Sequence, residues 1–308
     1  MHIFKQIDHI LPEFKSGIVT IGNFDGIHVG HQQIMKKMVA EAHRENRKAM
    51  VMTFDPHPKM VLHPDIQPFY LITTLEEKMS ILEKLGMDGV VLFPFNREFA
   101  KITAEFFVKD MLWDKLQIKK IFIGHNYRFG NDKRGNDEYL KEFGRRLGFE
   151  VEVFDAVTVN GFVVSSTRTR DAILQGDVKE AARLLDRPYN LQGTVISGHR
   201  RGVGLGFPTA NIKPDKELLP PRGVYAVKAE VNDQTYQGVL NIGYNPTFED
   251  KKLSVELHIL DFDEDIYGQP VNVLFIDRIR DEVKFAGPDA LIAQIRQDVS
   301  RARELLSA

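Results

Sequence analysis

Short apolar runs, each followed by a stretch of helical spacing, fill the first half of the chain. Ile18-Val19-Thr20-Ile21-Gly22 is an apolar run ending in glycine, after which Ile34, Met35, Met38, Val39 and Ala42 share one helix face. Ala49 to Phe54, Gly89 to Phe93, Lys120 to Gly124 and Glu150 to Phe154 read as further strands. Thr74 and Glu77 stand at the capping-box spacing ahead of Met79, Leu82 and Leu85, with Gly86 as the stop. Another helix is predicted from about Thr103 to Trp113, and Asn136 is placed to cap one that carries Leu140, Phe143 and Leu147 and ends at Gly148. Strands that are apolar throughout, alternating with helices, predict an α/β unit whose parallel sheet is covered on both faces.

Near Asp186-Arg187-Pro188 the rhythm changes. Tyr225, Val227, Ala229 and Val231 alternate along one face before the Asn232-Asp233 turn. Val255, Leu257 and Ile259 share a face, as do Val271, Val273 and Phe275. Such spacing predicts an antiparallel β-barrel or sandwich. A terminal helix is expected from Gly287-Pro288-Asp289, burying Leu291, Ile295, Val299, Ala302 and Leu306. The division is therefore 1–186 and 187–308, in keeping with 308 residues at ~150 per domain.

Composition narrows the chemistry. The chain has no cysteine, which excludes a disulfide framework, a zinc ribbon, an iron–sulfur centre and a thiol nucleophile. No window of about 18 apolar residues occurs, and Met1 to Asp8 holds no signal-peptide core, so a cytoplasmic location with no membrane partner is expected. Forty-one basic against 43 acidic residues leave a net charge of −2, with no bulk signal for nucleic acid.

The first chemical constellation is Gly22-Asn23-Phe24-Asp25-Gly26-Ile27-His28-Val29-Gly30-His31, between the first long strand and its helix. Glycines permit close backbone approach, and a helix N-terminus offers unpaired N–H groups to an anion. Two histidines three apart face the same side. The lysine and hydroxyl residue of a P-loop are missing, and two histidines without a third ligand do not make a zinc site. The second constellation is Ser197 to Asn211, where glycines at 202, 204 and 206 lack the spacing of a dinucleotide fingerprint. Glu256 stands on the strand face opposite Val255 and Leu257. Asp261 to Asp265 fails the calcium-loop pattern because Ile266 replaces the required glycine.

Four ordered segments carry a resemblance. Gly22 to His31 looks like the HxGH motif of the nucleotidylyltransferase superfamily. Thr53-Phe54-Asp55-Pro56-His57-Pro58, Gly124-His125-Asn126-Tyr127-Arg128-Phe129-Gly130 and Ser165-Ser166-Thr167-Arg168-Thr169-Arg170 resemble later segments of the bacterial bifunctional riboflavin kinase/FAD synthetase family. Gly206-Phe207-Pro208-Thr209-Ala210-Asn211 is similar to the signature of its kinase half.

The resemblance implies a Rossmann-like nucleotidylyltransferase domain followed by a riboflavin kinase barrel. It implies riboflavin, FMN and ATP as small-molecule partners, with Mg²⁺ as cofactor. His28 and His31 would be catalytic in adenylyl transfer. Gly22, Asn23, Phe24, Asp25, Gly30, Ser166, Thr167 and Arg170 would meet the ATP phosphates, and Asn126 the flavin substrate. In the kinase half, Gly198, Arg200, Arg201 and Gly204 would cover the phosphates while Thr209 and Asn211 hold the metal. Glu256 would be the base, and Asn241, Arg280, Glu282 and Phe285 would line the flavin. Tyr225 is read as core. Val163 and Val203 stand where relatives often carry arginine, with Arg168 and Arg200 or Arg201 as candidate replacements. Because neither sign of charge dominates, positive potential is expected to be local, from His28, His31 and Arg170 in one site and Arg200, Arg201 and the metal in the other.

Overall fold

The computed structural model describes residues 1–63, 69–131, 134–197, 206–244 and 253–307. Six strands form a parallel sheet: β1 (His2–Phe4), β2 (Ile18–Ile21), β3 (Ala49–Asp55), β4 (Gly89–Pro94), β5 (Lys120–Gly124) and β6 (Glu150–Phe154). Their spatial order is β1-β4-β3-β2-β5-β6. The edge strand β1 is too short, at three residues, to announce itself by periodicity. Helices α1 (Val29–Arg44), α2 (Pro58–Leu62), α3 (Leu75–Lys84), α4 (Ala104–Phe106) and α5 (Asp137–Leu147) lie between the strands. The predicted 103–113 helix is α4, continued by wider π-type turns over Phe107–Lys115.

Two apolar clusters cover the two faces of this sheet. Met35, Met38 and Ala42 of α1 pack with Ala49, Val51 and Val90. Val108, Met111, Leu140 and Phe143 pack with Val19, Met50 and Ile121 on the other side. The chain leaves β2 outward through β3 and β4, then returns to the opposite flank of β2 with β5. In such sheets ligands bind beyond the carboxyl ends of the strands at this switch point. Gly22 and Asn126, each just past its strand, stand at that edge.

After the small hairpin β7 (Thr158–Val159) and β8 (Phe162–Val163) come α6 (Ser166–Gln175) and α7 (Val178–Leu185). A closed antiparallel barrel follows, built from β9 (Tyr189–Ile196), β10 (Ala210–Pro214), β11 (Gly223–Val231), β12 (Gln234–Tyr244), β13 (Leu253–Ile259) and β14 (Pro270–Arg280). Its interior holds Tyr189, Tyr225 and Phe275, all shut off from solvent. Burying each such ring contributes roughly 2–3 kcal/mol. The Tyr225 hydroxyl donates to the Pro221 carbonyl at 2.5 Å, as expected of a core tyrosine. The last helix, α8 (Pro288–Ser307), lays Ala302 and Leu306 on Val224, Ala226 and Val239 outside the barrel. Leu291, Ile295 and Val299 are only half-buried there, whereas Asp298 is 3% exposed.

Packing divides the chain into Met1–Phe69 with Thr73–Ser166, and Tyr70–Ile72 with Thr167–Ala308. Ala172, Ile173, Val178, Ala181 and Leu185 join the same cluster as Leu191 and Phe275. Thus α6 and α7, which precede Asp186 in sequence, pack with the barrel.

Candidate active sites

The first site is the turn between β2 and α1. His28 is the N-cap of α1, and its Nδ1 accepts from the His31 N–H at 3.4 Å. With Nδ1 occupied as acceptor, neutral His28 carries its proton on Nε2. The two imidazoles stack at 3.6 Å between centroids, and the Phe24 ring meets His31 edge-on at 5.1 Å. Gly30 makes the stack possible, because a Cβ there would lie 3.2 Å from the His28 ring. Gly22 likewise gives way to the Phe24 ring.

The turn is strained and tied down. Phe24 and Ile27 have positive φ, 48° and 40°, which costs a side-chain-bearing residue on the order of 1–3 kcal/mol each. Gly26 donates to the Thr73 hydroxyl at 3.2 Å, the Thr73 N–H donates to Asp25 Oδ1 at 3.4 Å, and the Ser166 hydroxyl donates to the Asp25 carbonyl at 2.7 Å. The Asp25 side chain is therefore engaged by the turn. The Asn23 carbonyl accepts from Lys78 Nζ at 2.9 Å and from the Thr53 hydroxyl at 3.3 Å.

Burial sets the charge state. It lowers the His28 pKa to about 4. His31 lies well below its usual range through burial first, and then through the charges of His28 and Lys78. Both rings are neutral at pH 7. The local positive potential expected from these histidines is thus not theirs to supply; what a neutral imidazole offers is one N–H donor. Arg170 donates its Nε to the Tyr70 carbonyl at 2.7 Å, and Arg168 pairs with Glu180 at 2.5 Å. Thr167 is exposed, and Thr167 and Arg170 belong by packing to the second unit. Asn126 is exposed beyond β5. Burial also pushes the neighbouring Tyr127 phenol far up, so it stays protonated.

The second site is a row across the barrel strands. Asn211 of β10 stands opposite Glu256 of β13, and Glu256 stands opposite Asn241 of β12. Directly opposed residues of antiparallel strands share a face. Their neighbours Ile212, Val255, Leu257, Leu240 and Ile242 fill the interior, so the row lies on the outer wall. It continues through Val224 of β11 to Arg280 of β14.

Two of the expected flavin residues have partners within the chain. The Arg280 guanidinium binds both oxygens of Asp298 at 2.7–3.1 Å, donates to the Asp281 carbonyl and stands 5.7 Å over the Phe285 ring. Glu282 pairs with Arg222 at 3.2 Å. A Cβ on Gly243 would fall 2.7 Å from Glu282 Oε1 and 3.3 Å from Asn241 Nδ2, so these two groups crowd over one glycine. Thr209 directly precedes β10 and is half-buried. Gly198, Arg200, Arg201 and Gly204, with Val203, lie outside the described residues.

Comparison with known proteins decides the family. The FAD synthetase family model matches residues 11–168, and the riboflavin kinase model residues 185–306. A Listeria monocytogenes protein named bifunctional riboflavin kinase/FMN adenylyltransferase is 39% identical over 290 residues, covering 93% of this chain and 91% of its own length. The Escherichia coli K12 protein of the same name is 36% identical over 306 residues, covering 99% and 97%. This chain belongs to the bifunctional riboflavin kinase/FMN adenylyltransferase family. A solved Streptococcus pneumoniae structure described as a macrolide-efflux protein is similar over 98% of both chains, at 36% identity and a TM-score of 0.88. Among the described residues here, no helix is long and apolar enough to cross a membrane.

Within this family frame, three side chains that the motifs did not single out hold the sites in shape. Lys78 and Thr73 secure the adenylyl-type turn. His258, two residues beyond Glu256, donates its Nδ1–H to the Pro208 carbonyl at 2.7 Å and takes the Phe207 ring edge-on, anchoring the segment that leads to Thr209. Its alternation with Glu256 is the signal that could have found it; a lysine on a helix gives none.

Proposed function

We propose that the two reactions of this family are divided between the two sites, with adenylyl transfer in 1–186 at the His28 turn and phosphorylation in 187–308 at the Glu256 row. The chain is a riboflavin kinase and an FMN adenylyltransferase, acting on riboflavin, FMN and ATP. The observation that carries the division is the pair of separately built polar constellations, one on a helix N-terminus and one on a strand register.

In adenylyl transfer an FMN phosphate oxygen bonds to the α-phosphorus of ATP while the bond to pyrophosphate breaks. Negative charge spreads over the transferring group, so fixed donors supply the acceleration. Neutral His28 and His31, the backbone of Asn23 to Asp25 and the first turn of α1 at Gly30 would provide them, with Gly22 leaving room for the Phe24 ring. Ser166 would add a phosphate contact, and Asn126 would hold FMN.

In phosphorylation Glu256 would accept the proton of the ribityl hydroxyl as its oxygen attacks the γ-phosphorus and ADP leaves. Asn241, Glu282 and Phe285 would line the flavin, with Arg280 fixing the 281–287 segment. Gly198, Arg200, Arg201 and Gly204 would cover the phosphates.

Mg²⁺ fits this wall. Thr209 and Asn211 offer neutral oxygens beside Glu256, and no group of three metal-binding side chains occurs among the described residues. That donor set suits a hard cation that keeps water and phosphate ligands rather than an all-protein cage. When bound, Mg²⁺ neutralises phosphate charge. Use of ATP supports a cytoplasmic location.

One assay on the full chain, following FMN and FAD from riboflavin and Mg-ATP, tests the division. His28→Ala is expected to cut FAD formation by about 100-fold while FMN still accumulates. Glu256→Gln should cut riboflavin phosphorylation by about 100-fold or more and leave FAD formation from supplied FMN intact. If neither substitution separates the activities, the division is wrong.

A further inference from the structure

The neutral histidine pair raises a question about charge. The ATP triphosphate and its transition state are polyanionic, yet both imidazoles lack formal charge at pH 7. Beside them sits Lys78, in the first turn of α3 and only 5% exposed. An ammonium taken out of water costs several kcal/mol unless something offsets it, and methionine would fill the same space without that cost. Burial draws the Lys78 pKa below its ordinary value, while Asp25 and Asp55 oppose the fall.

Its contact is specific. Lys78 Nζ donates to the Asn23 carbonyl at 2.9 Å, and the fully buried Thr53 hydroxyl donates to the same oxygen at 3.3 Å. In a trans peptide the carbonyl and the following N–H point in opposite directions. Two donors pulling the Asn23 oxygen one way aim the Phe24 N–H the other way, and among the described residues no acceptor meets that N–H. His31 Nδ1 is likewise shut off from solvent with no partner among the described residues.

We propose that Lys78 is a positioning residue of the adenylyl site: with Thr53 it pins the Asn23 carbonyl, presents the Phe24 N–H as a phosphate donor, and places positive charge behind the His28–His31 pair. It acts through the turn and need not touch ATP. The inference rests on adenylyl transfer occurring at that turn.

The test uses the full chain with FMN and Mg-ATP, and riboflavin phosphorylation in the same preparation as the internal control. Lys78→Met is expected to lower kcat for FAD formation by roughly 30- to 100-fold. The KM values for ATP and FMN should move less than about threefold, and the kinase rate less than about twofold. Thr53→Val keeps the shape and removes the second donor, so it should show the same split at roughly a tenth of the loss. If Lys78→Met does not fold, Thr53→Val decides alone. Unchanged kcat in the folded variants, or a rise in KM without a fall in kcat, overturns the inference. His28→Ala, run in parallel, keeps the two readings apart. Its loss of FAD formation with Lys78→Met silent overturns only the role of Lys78, whereas silence in both overturns the placement of adenylyl transfer.

Discussion

Around His28 the chain is buried, strained and tied by side-chain bonds, whereas around Glu256 it is extended, regular and half-open. The first site depends on two non-glycine residues at positive φ and on Thr73, Ser166, Thr53 and Lys78 to hold them. The second depends on strand pairing, which brings Asn211, Glu256 and Asn241 side by side with no unusual backbone. The difference teaches where each site is vulnerable. A buried site has its protonation states and ring positions dictated by its walls. A register site has its geometry dictated by the sheet, while its side chains keep room to adjust.

The largest expected consequence is in pH. His28 titrates at about 4 when folded against 6.5 in the unfolded reference, so between those values the unfolded chain binds a proton that the folded chain refuses. Stability therefore rises with pH across that window, is fully present above about 6.5, and is lost as pH falls toward 4. For His28 alone the loss approaches about 3 kcal/mol, and His31 shifts in the same direction. The barrel unit's one described histidine, His258, is half-buried on the outer wall. Trp113, the single tryptophan, lies in the α/β unit and reports it alone. Denaturant melts followed by Trp113 fluorescence should weaken steeply from pH 7 to 4.5, while loss of kinase activity should shift less. His28→Ala should flatten the Trp113 trend; an unchanged slope in that variant would remove burial of His28 as the cause.

A smaller effect tests the same contrast through packing. The Cβ of Gly30→Ala would approach the His28 ring to 3.2–3.3 Å. The ring is stacked on His31 and can yield only by leaving that stack. We expect kcat for FAD formation to fall about tenfold with riboflavin phosphorylation unchanged, since small displacements of a positioned group carry large rate penalties. Wild-type FAD formation in Gly30→Ala would mean that the stack is not the working arrangement.

Much of this was legible in the sequence, and what was not shares a cause. The strand-then-glycine-then-histidine order of Gly22 to His31 is local, and so are the caps at Thr74 and Asn136, where the structure finds them. An amphipathic helix declares that it needs a partner without saying which, so α6 and α7 gave no sign that they pack with the barrel. Burial is tertiary too. A near-even charge count could suggest cationic histidines but not that the walls around them keep both neutral. Nothing local marks Lys78 or Asp298, charges on helices, as buried; the fold encloses the first under a strained turn and pairs the second with Arg280. The Asn211–Glu256–Asn241 row is invisible along the chain because register joins Glu256 to residues 15 and 45 positions away.

Gly243→Ala sharpens the comparison from the barrel side, and its effect should be the smallest. The added Cβ would stand 2.7 Å from Glu282 Oε1, a closer approach than Gly30→Ala makes to His28. By distance alone it should be the worse substitution. Yet Glu282 is an exposed residue whose carboxylate ends a flexible chain and meets Arg222, itself exposed, at 3.2 Å. It can rotate away at little cost, and changes at such exposed positions usually stay within about 0.5 kcal/mol. We expect the KM for riboflavin to rise by no more than about threefold, a shift of under ~1 kcal/mol in free energy, with kcat and FAD formation unmoved. Steady-state phosphorylation across a riboflavin titration reads this directly. A tenfold or greater loss would mean that Glu282 is held as rigidly as His28, and the contrast between a walled site and an adjustable one would fail.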